Sequence, residues 1–224
     1  MIRALFPLAA AALLATACSS PALAESAVAT PAAKVVAAEG KGLKTAIFAG
    51  GCFWGIEGVF SHLKGVTGAV SGYHGGTAGS AHYDQVSDGD TAHAEAVRVT
   101  YDPAVIRYDQ LLQVFFAVGA DPTQLNRQGP DRGTQYRTAL VPVSAEQNRV
   151  ATAYLAQLKA SGLWKKQLVA RIERAQAFYP AETYHQDFMS KNPDHGYIRM
   201  WDAPKVAALK KLFPAQYKAG FTAG

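Results

Sequence analysis

Cysteine is nearly absent from this chain: 224 residues contain two, Cys18 and Cys52. So few thiols exclude a disulfide-stapled scaffold, and stability has to come from a packed core. The composition allows one, with 49% hydrophobic residues in a length that suits a single sizeable domain. Charge is also sparse, at 17%, and no basic run exceeds the doublets Lys165-Lys166 and Lys210-Lys211. The net charge of +5 therefore reads as solubility charge, and no nucleic-acid partner is expected. Six histidines are present (His62, His74, His82, His93, His185 and His195), but none sits at a zinc-like spacing with further cysteines, so neither a metal nor another cofactor is expected. Repeats and low-complexity tracts are lacking beyond one Ala/Val/Pro-rich stretch, and the longest apolar run is too short to span a bilayer.

That run has a different use. Arg3 followed by the apolar Ala4 to Ala17 and the small-x-small sequence Ala22-Leu23-Ala24 has the form of an export signal cleaved after Ala24. Leu14-Ala15-Thr16-Ala17-Cys18 offers a second outcome, acylation of Cys18 as a lipoprotein anchor, although Ala15 stands where a larger aliphatic is usual. Either outcome takes Cys18 out of thiol chemistry, and loss of Arg3 lowers the net charge to +4. The expected organisation is a signal peptide over 1–24, a flexible tether over 25–42 and one domain over 43–224. The expected location is the bacterial periplasm, with a lipid-anchored form through Cys18 as the variant.

The folded domain then keeps one thiol, and its surroundings are unusual. Gly50-Gly51-Cys52-Phe53-Trp54-Gly55 follows the apolar run Thr45 to Ala49 and precedes Ile56-Glu57-Gly58-Val59-Phe60. An apolar strand, a glycine turn and a helical pattern set Cys52 at a helix start, where unpaired N–H groups and the helix dipole favour a thiolate. Glycine lets the backbone turn tightly beside the sulfur. Phe53 and Trp54 supply a rigid apolar wall. A buried structural cysteine is the plainer reading of a lone Cys among apolar residues, but the glycines and the position at a turn favour reactivity.

Along the rest of the chain, Gly65 to Tyr73 reads as a strand that ends in the turn His74-Gly75-Gly76, and Ala78 to Thr91 as a loop holding Tyr83 and Asp84. Glu95 to Tyr101 alternates as a half-buried strand stopped by Asp102-Pro103, and Tyr108 to Val118 has helical spacing. Gly119 to Arg137 is a long polar loop of the kind that carries function. Thr138 to Val143 is a strand, Ser144 caps a helix running to Ala160 with Gln147 at the capping-box position, and Val169 to Ile172 is a short strand. An aromatic segment from Phe178 to Phe188 with a short helix, then a helix around Val206 to Phe213, complete the chain. Strands and helices interleave without a βαβ rhythm, which indicates an α+β fold with helices on a mixed sheet.

Beside Cys52 the candidate acids are Glu95 and Asp131, with Tyr83, Tyr136 and Tyr197 as phenolic donors. Spacing alone favours a solvent-facing Glu95, and the tyrosines taken singly are core or rim aromatics. A lone activated cysteine in an aromatic niche serves acyl transfer with a histidine, peroxide reduction, or oxygen abstraction from a sulfoxide, and spacing does not choose between them.

The motifs do. Gly51-Cys52-Phe53-Trp54-Gly55 with Glu57 and Phe60 resembles the signature of the peptide methionine sulfoxide reductase A family. Gly72-Tyr73-His74-Gly75-Gly76, His93-Ala94-Glu95, Tyr101-Asp102-Pro103, Asn126-Arg127-Gln128-Gly129 with Asp131, Gln135-Tyr136-Arg137, Phe178 to Glu182 and Tyr184 to Asp187 follow in family order, from about Lys44 to Met200. The resemblance implies a ferredoxin-like two-layer sandwich with extra elements and a long coiled C-terminal region. It implies reduction of methionine S-sulfoxide, free or in proteins, with Cys52 as the nucleophile left as a sulfenic acid. Phe53 and Trp54 would hold the substrate methyl group, Glu95 would protonate the sulfoxide oxygen, Tyr83 and Tyr136 would donate hydrogen bonds to it, Asp131 would support the site and Tyr197 would line it. The alternatives carried beside it are a thiol peroxidase and a non-catalytic sulfoxide-binding module. Three positions depart from the family: Ala120 and Ala92, where His and Gly are frequent, and Ile198, where many members carry a resolving cysteine. The implied reductant is therefore an outside thiol, thioredoxin-like, glutaredoxin-like or glutathione, acting on a protein expected to be a monomer.

Overall fold

The structure is a computed structural model that describes residues 27–224. The expected signal peptide and Cys18 lie outside the described residues. The frame is a six-stranded sheet whose strands, in chain order, are β1 (Lys44–Gly50), β2 (Val66–His74), β3 (Ala94–Tyr101), β6 (Thr138–Val141), β7 (Arg171–Ile172) and β8 (Phe178–Pro180). They lie side by side in the order β7-β6-β1-β3-β2-β8. All neighbours are antiparallel except β6 and β7, so the sheet is mixed. β1 is central, and from Ala46 to Gly50 it is buried throughout, which explains its unbroken run of small and apolar residues.

The helices are α1 (Phe53–Ser61), α2 (Tyr83–Ser87), α3 (Tyr108–Val114), α4 (Ala145–Ser161), α5 (Phe188–Lys191) and α6 (Ala203–Leu212). The main core lies on one face of the sheet, where α1, α3 and α4 contribute Ile56, Phe60, Leu111, Leu112, Val150 and Tyr154 against Phe48 of β1. Phe48 meets the rings of Phe60 and Phe115 at 4.7 and 5.2 Å, so Phe48→Ala would open a cavity costing about 3–5 kcal/mol. The opposite face holds a smaller cluster of Ile47, Ala49, Ala94, Ala96, Ala139 and Val141.

α3 widens into a fully buried π-helical turn over Phe115–Gly119, which accounts for the helical spacing seen to Val118. Ser144 Oγ accepts from Gln147 N at 3.1 Å as the cap of α4, and Gly162 ends that helix at φ +70°. Three expectations are corrected. The stretch from Ala78 to Thr91 is not plain loop, because it holds a 3₁₀ turn over Ala78–Ser80 and then α2. Pairing in β7 is confined to Arg171 and Ile172.

The third correction concerns 25–42, expected as a flexible tether. Residues 28–39 lie against α3 and α4. Val28 N donates to Ala117 O, Thr30 exchanges hydrogen bonds with Gln113, Tyr154 OH donates to Pro31 O, and Ala37 N donates to Asp109. Glu39 accepts from Tyr101 OH and Tyr108 N. These partners are side chains and helix-end carbonyls distant in sequence, so an Ala/Val/Pro-rich stretch gives no local sign of them.

The register converges on one end of the sheet. Two residues beyond the Phe48–Val97 pair lie Gly50 on β1 and Glu95 on β3, and Gly50 pairs with Thr138 at the start of β6. The chain from Gly119 to Arg137 crosses that same end, with a hairpin of β4 (Arg127–Gln128) and β5 (Asp131–Arg132) and a 3₁₀ turn over Thr134–Tyr136.

Candidate active site

Cys52 is the N-cap of α1, 9% exposed, and is the one cysteine among the described residues. Gly51 before it sits at φ +83°, and a Cβ there would fall 2.3 Å from Gln128 Cβ, so both conformation and packing demand glycine. The turn thereby presses the loop carrying β4 against the cysteine.

All eight site residues singled out in the sequence line one cleft of about 280 Å³. Cys52, Phe53 and Trp54 come from the start of α1, and Tyr83 is the first residue of α2. Glu95 is on β3, Asp131 on β5, Tyr136 ends the 3₁₀ turn, and Tyr197 precedes a π-helical turn over Ile198–Asp202. His195 completes the lining and was not singled out for the site.

Glu95 does not face solvent. It is 2% exposed, and its Oε2 accepts from Phe53 N at 3.0 Å. Burial pushes its carboxyl up to about 8; the Phe53 N–H opposes this, while Asp131 and Asp202 add to it. A carboxyl in this state is a proton donor at neutral pH. Burial likewise pushes the phenols of Tyr83, Tyr136 and Tyr197 upward, so all three remain donors. Tyr197 OH donates a short hydrogen bond to Asp131 Oδ2. Burial raises the Asp131 carboxyl, with that bond and the Lys205 charge acting against it.

Cys52 overturns the expectation that a helix start makes its thiolate easy to form. Burial pushes the thiol well above its ordinary value; the charges of Asp202, Glu95 and Asp131 add to this, and the Trp54 backbone N–H is the opposing contribution. Burial comes first, and the rest of the reason lies in what already occupies the positive end of α1. Glu95 takes the Phe53 N–H, and Asp202 presses on Gly55, where a Cβ would fall 2.2 Å from its Oδ1. At rest the site holds a thiol and a carboxylic acid.

The wall is built from rings. Trp54 stacks on Phe188 at 3.8 Å and meets the edges of Tyr197 and His195. Its Nε1–H donates to His185 Nδ1 at 3.1 Å, which places the remaining proton of the neutral imidazole on Nε2. Glu57, buried on α1, accepts from Asp187 N at 3.0 Å and so fixes the left-handed residue that starts α5 and carries Phe188. Among the described residues no group of three or more His, Cys, Asp or Glu side chains is arranged to hold a metal ion, and no helix is long and apolar enough to cross a membrane.

Comparison with known proteins finds relatives of this chain. A sequence model of the family described as "Peptide methionine sulfoxide reductase" matches residues 44–217. "Peptide methionine sulfoxide reductase MsrA 2" of Mesorhizobium japonicum is 54% identical over 176 residues, covering 79% of this chain and 90% of that protein. Its namesake in Synechocystis is 45% identical over 184 residues, covering 82% and 86%. Among solved structures, Mxr1 from Saccharomyces cerevisiae in reduced form superimposes with a TM-score of 0.61 at 33% identity, over 72% of this chain and 92% of that one. Methionine sulfoxide reductase A of Corynebacterium diphtheriae gives 0.57 at 34% identity, over 68% and 76%.

Proposed function

This chain belongs to the peptide methionine sulfoxide reductase family, and from that premise we propose how its own residues carry the reaction. The protein reduces methionine S-sulfoxide, free or within proteins, to methionine and draws its electrons from a thiol. One observation carries the assignment of roles: Glu95, buried and held on the Phe53 N–H, shares a cleft with Cys52, the one thiol among the described residues.

The substrate methyl group packs against Phe53 and Trp54, and the sulfoxide oxygen points toward Glu95, Tyr83 and Tyr136. Cys52 attacks the sulfur as a thiolate. As the S–S bond to the substrate forms, the sulfoxide oxygen becomes strongly basic and takes the proton of Glu95, with the two phenols stabilising the developing charge; the Cys52 thiol proton replaces the one Glu95 gives up, and the hydroxyl passes to the cysteine sulfur as the substrate's S–O bond and the S–S bond break. Methionine leaves reduced by two electrons, and Cys52 is left oxidised by two as a sulfenic acid. Asp131 and Tyr197, joined by their hydrogen bond, hold the rim beside Trp54.

Recycling needs an outside thiol. Cys52 is the one cysteine among the described residues, and Ile198 is fully buried. A thiol attacks the sulfenic sulfur, forms a mixed disulfide and releases water, and a second thiol restores Cys52 and leaves as the disulfide. Thioredoxin-like and glutaredoxin-like proteins and glutathione all have this chemistry. The protein works as a monomer in the bacterial periplasm after cleavage behind Ala24, with lipidation at Cys18 as the other route. Intact mass separates the two routes, because a diacylglyceryl adduct on Cys18 appears in only one.

Incubation with dithiothreitol and either methionine sulfoxide or hydrogen peroxide tests the function. Turnover of the sulfoxide alone is expected; turnover of peroxide alone makes the protein a thiol peroxidase, and binding without turnover makes it a sulfoxide-binding module.

A further inference from the structure

The mechanism leaves one buried ion pair beside Cys52 unused. Lys205, on the first turn of α6, is 7% exposed, and Asp202 just before α6 is fully buried. The lysine Nζ lies 3.7 Å from Asp202 Oδ1. Burying a lysine and an aspartate is costly, and such pairs give little stability over an apolar pair of the same size. This one lies against the nucleophile's helix: a Cβ on Gly55, three residues past Cys52, would be 2.2 Å from Asp202 Oδ1 and 3.2 Å from Lys205 Nζ.

A second hollow joins the pair to the reacting sulfur. It measures about 10 Å³, is lined by Lys205, Trp201 and Gln128, and shares Cys52, Asp131 and Tyr197 with the substrate cleft. That is room for about one water molecule, so Lys205 and Cys52 line the same small hollow. Charges around a hollow shielded from bulk water interact strongly.

Every element packed around Cys52 brings a polar group toward it. Glu95 comes from β3, Asp131 from β5, Tyr83 from α2, Tyr136 from the 3₁₀ turn, His195 and Tyr197 from the segment before the π-helical turn, Asp202 from that turn's end and Lys205 from α6. Three are carboxyl groups, and Lys205 is the lysine or arginine lining the two hollows.

We propose that Asp202 and Lys205 are positioning residues that set the charge state of Cys52 with opposite sign, the aspartate holding the resting sulfur as a thiol and the lysine making its ionisation attainable when the sulfoxide arrives. Asp202 occupies the helix end that would otherwise stabilise a thiolate. Lys205 compensates Asp202 and Asp131, so that the attacking anion does not meet two uncompensated carboxylates. The pair thereby protects a lone thiol from adventitious oxidants without removing its reactivity, since the thiolate is the oxidisable form.

This inference rests on Cys52 as the nucleophile, but its test needs no sulfoxide turnover. The rate of iodoacetamide alkylation of the Cys52 peptide is followed by mass spectrometry across pH in the full chain and in Asp202→Asn, Lys205→Met and Lys205→Arg. Near neutral pH, Asp202→Asn is expected to alkylate about three- to tenfold faster and Lys205→Met slower by a similar factor, the midpoints moving down and up in pH respectively. Lys205→Arg keeps the charge and returns the midpoint close to that of the natural chain. A merely structural pair would give unmoved midpoints or shifts of one sign in both neutralising variants, and either result overturns the proposal. If Lys205→Met does not fold, Asp202→Asn decides alone, and a midpoint unmoved or raised there overturns it. Sulfoxide turnover of the natural chain is assayed in parallel; its absence alongside oppositely signed shifts would remove the reductase mechanism and leave the electrostatic assignment standing.

Discussion

Two glutamates flank the 3₁₀ turn that ends at Tyr136, and they have been driven in opposite directions. Glu95 shares the Cys52 cleft with Tyr136; Glu173 meets the next residue, Arg137, whose Nε and Nη2 donate to its carboxylate at 2.7 and 3.1 Å. Burial alone would raise both acids. At Glu173 the bonds and charge of Arg137, with Arg171 adding, outweigh burial and hold the carboxyl below its ordinary value. At Glu95 the Phe53 N–H opposes burial, Asp131 and Asp202 add to it, and the carboxyl rises to about 8. Pairing thus decides whether a glutamate in this protein is a structural anion or an acid with a proton to give.

The largest break comes from removing the group that the acid serves. Cys52→Ser is expected to leave no measurable sulfoxide turnover in a purified, folded protein, because the hydroxyl cannot become the attacking anion. Any steady turnover in that variant would end the mechanism. Next is Glu95→Gln, whose amide donates a hydrogen bond but cannot pass a proton. Its kcat is expected to fall about 10²–10⁴-fold. In the natural chain, activity is expected to decline as pH rises past about 8, where burial sets the Glu95 carboxyl. An unchanged pH profile in Glu95→Gln would take the acid role from this residue.

Glu95→Gln also has a signature in stability. The Glu95 carboxyl is raised from 4.5 to about 8 on folding, so its contribution is full below about 4.5 and is lost as pH rises through that window. The variant lacks this loss, and its Tm relative to the natural chain should climb between those limits, by the equivalent of roughly 3–5 kcal/mol at the upper end. Glu57, also raised to about 8, is untouched and keeps a slope of its own. A smaller kinetic effect is expected of the phenols. Tyr136→Phe or Tyr83→Phe removes one donor and should lower kcat about 10–10²-fold with little change in Tm. An effect on KM alone would make these tyrosines part of binding and not of the transition state.

How much of this was legible depends on the distance over which each interaction acts. The strand-turn-helix around Cys52 is local: glycines, an apolar strand and an aromatic start to α1 are read directly from neighbours in the chain. β3 and the Ser144 cap of α4 were visible for the same reason. Glu95 alternates like a solvent-facing residue, yet β1 and β2 flank its strand and the chain after Gly119 covers that end. The acid role proposed for it rests on motif resemblance and could not have come from periodicity. The charge state of Cys52 was hidden further still, because Asp202 and Lys205 arrive from the far end of the sequence and occupy a helix end that looks free from its own residues. Residues 28–39 misled in the same way, since composition cannot show that Asp109, Gln113 and Tyr154 bind their backbone.

The smallest expected effect on activity, and the one that sharpens the comparison most, is Glu173→Gln. Arg137 also donates to His93 O and Thr134 O through Nη1, so the turn that presents Tyr136 stays anchored when the carboxylate is neutralised. Sulfoxide turnover should then stay within a few-fold of the natural chain. Stability should not. Glu173 is held below its ordinary 4.5, so its contribution is present above that value and is lost as pH falls through the depressed one. The variant is expected to be less stable by about 1–3 kcal/mol at neutral pH, a discounted figure because the Glu173 side chain is 18% exposed. The deficit should shrink toward zero in acid, a slope opposite in sign to that of Glu95→Gln. If the stability differences of both variants changed with pH in the same direction, the two glutamates would not differ in the way their partners dictate, and the assignment of Glu95 as the acid would lose its electrostatic basis.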